Sequence, residues 1–308
     1  MRTRSRIALA AGALLVAGAG YLFLFEPEYS GLIRPAAGAG AATRPLVFGH
    51  RGFGYYAPDN SLVAARMAIE AGLDGVDMDG QRSRDGELVI FHDLSVDRLT
   101  SGTGRVSSHS VAELRALDLG PKYKPEFKGA FVATFEDVLA ATLGKGILMV
   151  ELKVPGLART GIEERAIELV QKHDAFAQVY FSSFNPVVLW RLKHLDPRIH
   201  TVFIFMDTNW NPELIKEIKK GDEVDLPWVV RQEWIRRAIR KIVKPDLLSV
   251  NIEVAPGVAE RLIGKGWPIF LWVPQTEPAI REALAQKPYG VISDEPQLVK
   301  TIRDGGAR

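Results

Sequence analysis

The sequence predicts an α/β fold, a closed (β/α)8 TIM barrel preceded by a single N-terminal transmembrane helix. Three observations lead there. Short apolar runs alternate with helix-patterned segments about eight times within a stretch of a length common for one α/β barrel domain. Those runs are continuously apolar rather than alternating, as strands are when a parallel sheet is covered on both faces. A separate uncharged stretch stands ahead of all of them. An open doubly wound sheet is the alternative arrangement of the same units.

The first element is that leading stretch. Arg2, Arg4 and Arg6 precede an uncharged, mostly apolar run over residues 7–25. It nears the roughly 20 residues that cross a bilayer as a helix, and exceeds the apolar core of an ordinary cleavable signal. It ends in Tyr21, Leu22, Phe23, Leu24 and Phe25, bulky side chains suited to a membrane interface. Residues 1–25 therefore read as an uncleaved anchor, with a cleaved signal as the plainer alternative. The arginines place the N-terminus in the cytoplasm and the main domain on the extracytoplasmic side of a single-pass membrane protein. Residues 26–44, rich in Ala, Gly and Pro, read as a linker, and 45–308 as the barrel.

Within the barrel, strands are expected at 46–49, 75–79 continuing to 88–91, 147–151, 178–181, 201–205, 246–250, 269–273 and 290–292. Helical patterns fill the intervals at 61–71, 134–143, 161–173, 186–195, 256–265, 278–285 and 297–303. Two segments exceed a minimal barrel. Residues 97–128, rich in Gly, Ser and Lys, are expected to cover part of the mouth. Residues 207–244 hold Trp210, Trp228 and Trp234 and then a basic amphipathic pattern. There Ile235, Ala238, Ile239, Ile242 and Val243 lie opposite Arg236, Arg237, Arg240 and Lys241. The simpler expectation is an outer barrel helix with its apolar face inward and its basic face solvated; the other is a helix lying on an anionic membrane.

Composition narrows the partners. With 39 basic against 37 acidic side chains the chain lacks the cationic field of a nucleic-acid binder. The absence of cysteine removes disulfides, thiolate zinc sites and cysteine nucleophiles. The oligomeric state is left open.

The chemistry-bearing residues fall directly behind apolar runs, where a barrel places its reactive side chains. His50-Arg51-Gly52 follows the first run, Asp77 and Asp79 close the second, His92-Asp93 follows the next, and Glu151 and Lys153 end another. Asp77 and Asp79 are two apart and so point to one side of a strand. Such a like-charged pair needs neutralising, either by a hard divalent cation with Glu151 as third ligand or by an ion network with Arg51, Arg82 or Lys153. All-oxygen ligands suit Mg2+ or Ca2+ better than zinc. His50 and His92 titrate near neutrality and suit the roles of general acid and base. Arg51 and Lys153 suit phosphoryl oxygens. His109, His173, His194 and His200 read as structural or solvent-facing.

The order of these groups resembles the glycerophosphodiester phosphodiesterase family. His50-Arg51-Gly52, Pro58-Asp59-Asn60-Ser61, Gly75 to Asp79, Asp85-Gly86, His92-Asp93 and Glu151-Leu152-Lys153 carry the likeness. Ser182-Ser183-Phe184, Trp272 and Ile292-Ser293-Asp294 with Pro296 extend it over about residues 46 to 300. The resemblance implies a TIM barrel that hydrolyses glycerophosphodiesters to an alcohol and glycerol 3-phosphate with a bound divalent cation. It implies His50 and His92 as the acid/base pair and Asp77, Asp79 and Glu151 as metal ligands. Arg51 and Lys153 would contact phosphate, and Trp272 the glycerol. The family more often has Glu where this chain has Asp59 and Asp77, each change shortening the arm by roughly 1.5 Å; the run Trp272-Val273-Pro274-Gln275 departs as well. Asp59 is then expected behind the site, orienting Arg51 or a metal ligand. Two other functions stay open. One is lysophospholipase D-like hydrolysis of a membrane lipid, and the other a catalytically silent barrel that binds phosphorylated ligands.

Overall fold

The computed structural model describes residues 44–206, 232–254 and 257–305, together with Gly18, residues 20–22 and Phe25. Most of the expected anchor, the linker up to residue 43, Trp210 and Trp228 lie outside the described residues. Among the described residues, no helix is long and apolar enough to cross a membrane.

Eight parallel strands close into a barrel: β1 (Leu46–Gly49), β2 (Gly75–Arg82), β4 (Ile147–Leu152), β5 (Val179–Ser183), β6 (His200–Phe205), β7 (Leu247–Asn251), β8 (Ile269–Trp272) and β9 (Gly290–Ser293). Pairing of β1 with β2 and of β1 with β9 closes the ring. The strand-facing helices begin at residues that satisfy their first free amides. Ser61 accepts from Ala64 N, and Thr134 with Asp137 forms a reciprocal capping box. Leu46, Phe48, Ile147, Met149, Tyr180, Val202, Leu247, Phe270 and Ile292 form one buried cluster inside the barrel. Two-residue steps up the same strands lead from this cluster to His50, Glu151, Asn251, Trp272 and Asp294. The site is thus the top layer of the barrel core, with polar side chains in place of apolar ones.

The region around 75–91 differs from expectation. Residues 88–91 do not continue the second strand. β2 runs on to Arg82, the chain turns at Asp85-Gly86, and β3 (Leu88–Ile90) returns antiparallel, with Gly80 opposite Ile90 and Arg82 opposite Leu88. Gly86, at φ +93°, supplies the conformation this reversal requires. The hairpin carries His92 and Asp93 back to the mouth, where Gln81 Nε2 donates to the carbonyls of Phe91 and Asp93 at 2.8 and 2.7 Å. The insertion at 97–128 packs Val106, Leu114 and Leu119 on Val89, Phe91 and Val96. It reaches the mouth through Arg98 and through the Tyr123 hydroxyl, which donates to Tyr55 O.

The helix Glu233–Val243 corrects the expectation of a solvated basic face. Arg236 and Arg240 are buried, while Trp234 and Ile242 are 43% and 59% exposed. Glu233 causes the inversion: it takes Arg236 Nε at 3.0 Å, and Arg240 and Arg261 at 2.7 Å each. Arg236 also donates to Met206 O at 3.0 Å, and both arginines lie over the Phe205 ring.

Candidate active site

A cavity of about 820 Å3 opens at the C-terminal ends of the strands. It is lined by His50, Arg51, Asp59, Asp77, Asp79, His92, Glu151, Lys153 and Trp272, so every expected site residue faces one space. The loop behind β1 is tied to the loop behind β9: His50 N donates to Ser293 O at 3.0 Å, and Tyr55 N to Asp294 O at 3.1 Å. Gly54, at φ +57°, permits this approach, because a Cβ there would stand 2.1 Å from Asp294 O.

Both histidines are fixed by aspartates. His50 Nδ1 lies 2.7 Å from Asp294 Oδ1, and His92 Nδ1 lies 2.7 Å from Asp93 Oδ1. The Asp294 and Asp93 carboxyls both lie below the usual carboxylate range: burial opposes this, but the histidine contacts, and Arg98 for Asp93, outweigh it. They are therefore ionised at neutral pH and accept hydrogen bonds only, so each Nδ1 carries the proton. The other nitrogen of each ring is Nε2. At His92 this atom accepts from Arg51 NH2 at 2.9 Å, which requires the neutral imidazole. Burial, then Lys153, push the His92 pKa below its ordinary value. Asp93 is held in turn by a two-pronged Arg98, at 2.6 and 2.9 Å.

Arg51 sits in the left-handed region at φ +51° and also donates to Asp59 Oδ2 at 3.0 Å. Its burial works against the charge, but Asp79 and Asp59 more than offset this and hold the guanidinium above its ordinary pKa. Asp79 lies beside Glu151 in the β2–β4 register. Lys153 Nζ lies 3.3 Å from both Asp79 Oδ1 and Glu151 Oε2. Asn60 grips Asp79 twice, donating to Oδ2 at 2.8 Å and accepting from its backbone N at 2.7 Å. Burial opposes the Asp79 charge, yet Lys153, His92 and Arg51 hold its pKa far below the ordinary range. Asp77 is the reverse case. Burial first, then the charges of Asp79 and Glu151, raise its pKa well above the usual carboxylate value.

By donor type, three carboxyl groups suit a hard divalent cation. Asp77, Asp79 and Glu151 line the same cavity, and Lys153 balances the latter two, while the charged form of Asp77 is disfavoured without a further cation beside it. Among the described residues, no group of three or more acidic, histidine or cysteine side chains is placed so as to hold a metal ion.

Trp272 stands edge-on to Phe184 at 6.0 Å, with its Nε1 buried and unpaired. The remaining histidines lie elsewhere in ordinary contacts: His173 with Glu136, His194 with Trp190 O, His109 with Arg105 O, and His200 against the Tyr180 ring. The sequence reading assigned no role to Asp294, Asn60, Gln81 or Arg98. For Asp294 and Asn60 the signal was their place within the motifs that carry the resemblance; Arg98 had none.

Imidazoles held by aspartates, cations for anionic oxygens and a group of carboxyls at a barrel mouth suit a hydrolase acting on phosphate esters. The profile of the Glycerophosphoryl diester phosphodiesterase family matches residues 50–298. The glycerophosphodiester phosphodiesterase of Caldanaerobacter subterraneus is 30% identical over 265 residues, 85% of this chain and 100% of that protein. An Oleispira antarctica phosphodiesterase, solved with the product sn-glycerol-3-phosphate, superposes with a TM-score of 0.69 at 23% identity, over 86% of this chain and 99% of that one. A putative glycerophosphoryl diester phosphodiesterase from Silicibacter pomeroyi gives 0.71 at 20% identity, over 86% and 95%. The chain belongs to the glycerophosphodiester phosphodiesterase family and is a phosphoric diester hydrolase.

Proposed function

We propose that this protein hydrolyses glycerophosphodiesters to an alcohol and glycerol 3-phosphate, with His50 and His92 as the acid/base pair. The observation that carries the reading is the pair of aspartate-locked imidazoles lining one cavity, with Arg51 at the Nε2 of His92. Arg51 and Lys153 bind the phosphoryl oxygens and stabilise the charge that grows on them. Asp59 and Arg98 act through Arg51 and Asp93 respectively. His92, held neutral, takes a proton from the attacking oxygen, and His50 delivers one to the leaving oxygen. Asp77, Asp79 and Glu151 would hold Mg2+ or Ca2+, which when bound supplies Lewis-acid polarisation of the phosphate. Trp272 with Phe184 forms the wall against which the glycerol rests.

The test is release of glycerol 3-phosphate from glycerophosphocholine by the full-length protein in detergent. Release should stop with EDTA and fall at least about a hundredfold in His50→Ala and in His92→Ala. Turnover unchanged in both variants would remove the acid/base assignment. Binding of glycerol 3-phosphate without turnover would favour the silent barrel.

A second reading, lysophospholipase D-like action on a membrane lipid, has support of its own. Phe184, Ile204, Met206, Ile252, Trp272 and Val273 bring apolar surface to the β5–β8 side of the cavity, among Ser249, Asn251, Glu253 and Gln275. Hydrolysis of lysophosphatidylcholine micelles separates the two readings. The apolar run 7–25 is proposed to anchor the barrel on the extracytoplasmic side, and recovery of the chain in the supernatant after a carbonate wash would refute that.

A further inference from the structure

One exposed ring at the cavity mouth takes no part in the chemistry proposed above. Tyr55 lines the cavity and is 53% exposed, whereas the adjacent Tyr56 packs on the buried core, with its hydroxyl on Glu295 Oε2 at 2.6 Å. Tyr55 lies in the 3-10 turn Gly54–Tyr56 behind β1 and is pinned there from two sides. Its N–H donates to Asp294 O at 3.1 Å, and its carbonyl accepts from the Tyr123 hydroxyl of the insertion. A ring whose backbone is already fixed costs a ligand little in ordering entropy.

The charges acting on this ring are mostly negative. Asp59, Asp294 and Glu295 are held in place by Arg51, His50 and the Tyr56 hydroxyl respectively. Burial first, then Asp294, Glu295 and Asp59, raise the Tyr55 phenol above its ordinary pKa, and Arg51 opposes them with a smaller effect. Tyr123 is raised likewise, by burial and then by Asp59 and Glu126. The cations of the insertion near the mouth are turned to partners of their own. Arg98 gives two nitrogens to Asp93, Lys122 Nζ donates to Asp97 O at 3.4 Å, and Lys124 lies over the Tyr123 ring at 5.4 Å. On the other side of Asp294 the cavity is lined by Gln275, Thr276 and Ala279, none of them charged. An aromatic face in a field of fixed carboxylates attracts an ammonium group, through the ring quadrupole and through the charges together.

We propose that Tyr55 sets the specificity for the leaving alcohol and selects a cationic one, whose quaternary or primary ammonium group seats over the Tyr55 ring among Asp59, Asp294 and Glu295. The placement rests on the hydrolytic reading. There His50 protonates the leaving oxygen while the glycerol rests on Trp272, so the departing alcohol runs from His50 along the turn tied to it, where Gly54 N donates to His50 O at 2.9 Å.

The test compares glycerophosphocholine with the matching diester of 3,3-dimethylbutanol, in which carbon replaces the choline nitrogen, so that the shape is kept and the charge is lost. Binding of both to the full-length protein in a non-ionic detergent is measured by titration calorimetry in EDTA, where no turnover is needed. The choline diester should bind about fivefold more tightly. Tyr55→Leu should bring that ratio close to one, and Tyr55→Phe, which keeps the ring, should preserve it. Both diesters are titrated into the same preparation, so a partly unfolded variant changes the stoichiometry and not the ratio. A ratio near one in the unsubstituted protein, an unchanged ratio in Tyr55→Leu, or binding of neither diester would each overturn the inference. Release of glycerol 3-phosphate from the same samples after Mg2+ or Ca2+ is added tests the hydrolytic reading separately: release from neither diester counts against that reading whatever the binding ratio.

Discussion

Each imidazole proposed as catalytic is held at Nδ1 by an aspartate, and this makes the aspartates testable on their own. Asp294→Asn keeps the size of the side chain but offers an amide to His50 Nδ1, so the ring loses its fixed tautomer. The expected result is a fall in kcat on the order of 10- to 100-fold with KM little changed, measured on glycerophosphocholine. A KM effect alone would mean that Asp294 shapes the pocket without orienting the ring. The pH profile reports on His92. Its pKa is lowered, mainly by burial and by Lys153, so its neutral, proton-accepting form survives below the ordinary imidazole value of about 6.5. The acid limb of kcat/KM should therefore lie below that value. Arg98→Met withdraws a cation from Asp93, leaves that carboxylate more fully to His92, and should move the limb to higher pH. At this scale the motif residues were readable because each stands directly behind an apolar run. The Asp294 pairing was not, because 244 residues separate it from His50 and only closure of the barrel joins them.

The elements whose form departed from expectation did so because partners lay outside the local pattern. Periodicity over 233–243 defines two faces but does not say which one is buried, since a buried arginine is acceptable once it is paired. The deciding residue is Glu233, with burial opposing its charge and Arg240 and Arg236 lowering its pKa to about 2. Glu233→Ala leaves Arg236 and Arg240 buried without their carboxylate. It should destabilise the fold by about 3–5 kcal/mol, read as a loss in urea or thermal midpoint. Arg261, arriving from the helix Val258–Gly264, is part of the same knot and could not be foreseen from spacing. The hairpin of β2 and β3 is a milder case. Asp85-Gly86 is a turn signal, but the two apolar runs around it were read as one strand, and the antiparallel return became visible only through the β2–β3 ladder.

Over the whole molecule, the alternation of eight strand runs with helices was enough to indicate a closed barrel, because a parallel sheet of that size with both faces covered has few other solutions. Closure then concentrates acidic side chains at one end, and the folded chain carries that electrostatic cost. Lys153 offsets Asp79 and Glu151, but Asp77 faces both of them with its pKa raised well above the carboxylate range. A carboxyl whose folded pKa exceeds its unfolded value of about 3.9 costs stability as pH rises past the unfolded value, and the full cost is present above the folded one. At neutral pH, Asp77→Asn should therefore raise the thermal midpoint of the EDTA-treated protein. A divalent cation that binds the three carboxylates stabilises the native state by mass action, so Mg2+ or Ca2+ should raise the midpoint of the unsubstituted chain. The same additions should do far less for Asp77→Asn, which lacks one charged ligand. The two effects must appear together: a variant stabilised in EDTA that still responds fully to the metal would place the cation elsewhere, and a variant destabilised in EDTA would mean that Asp77 is held by contacts rather than strained by charge.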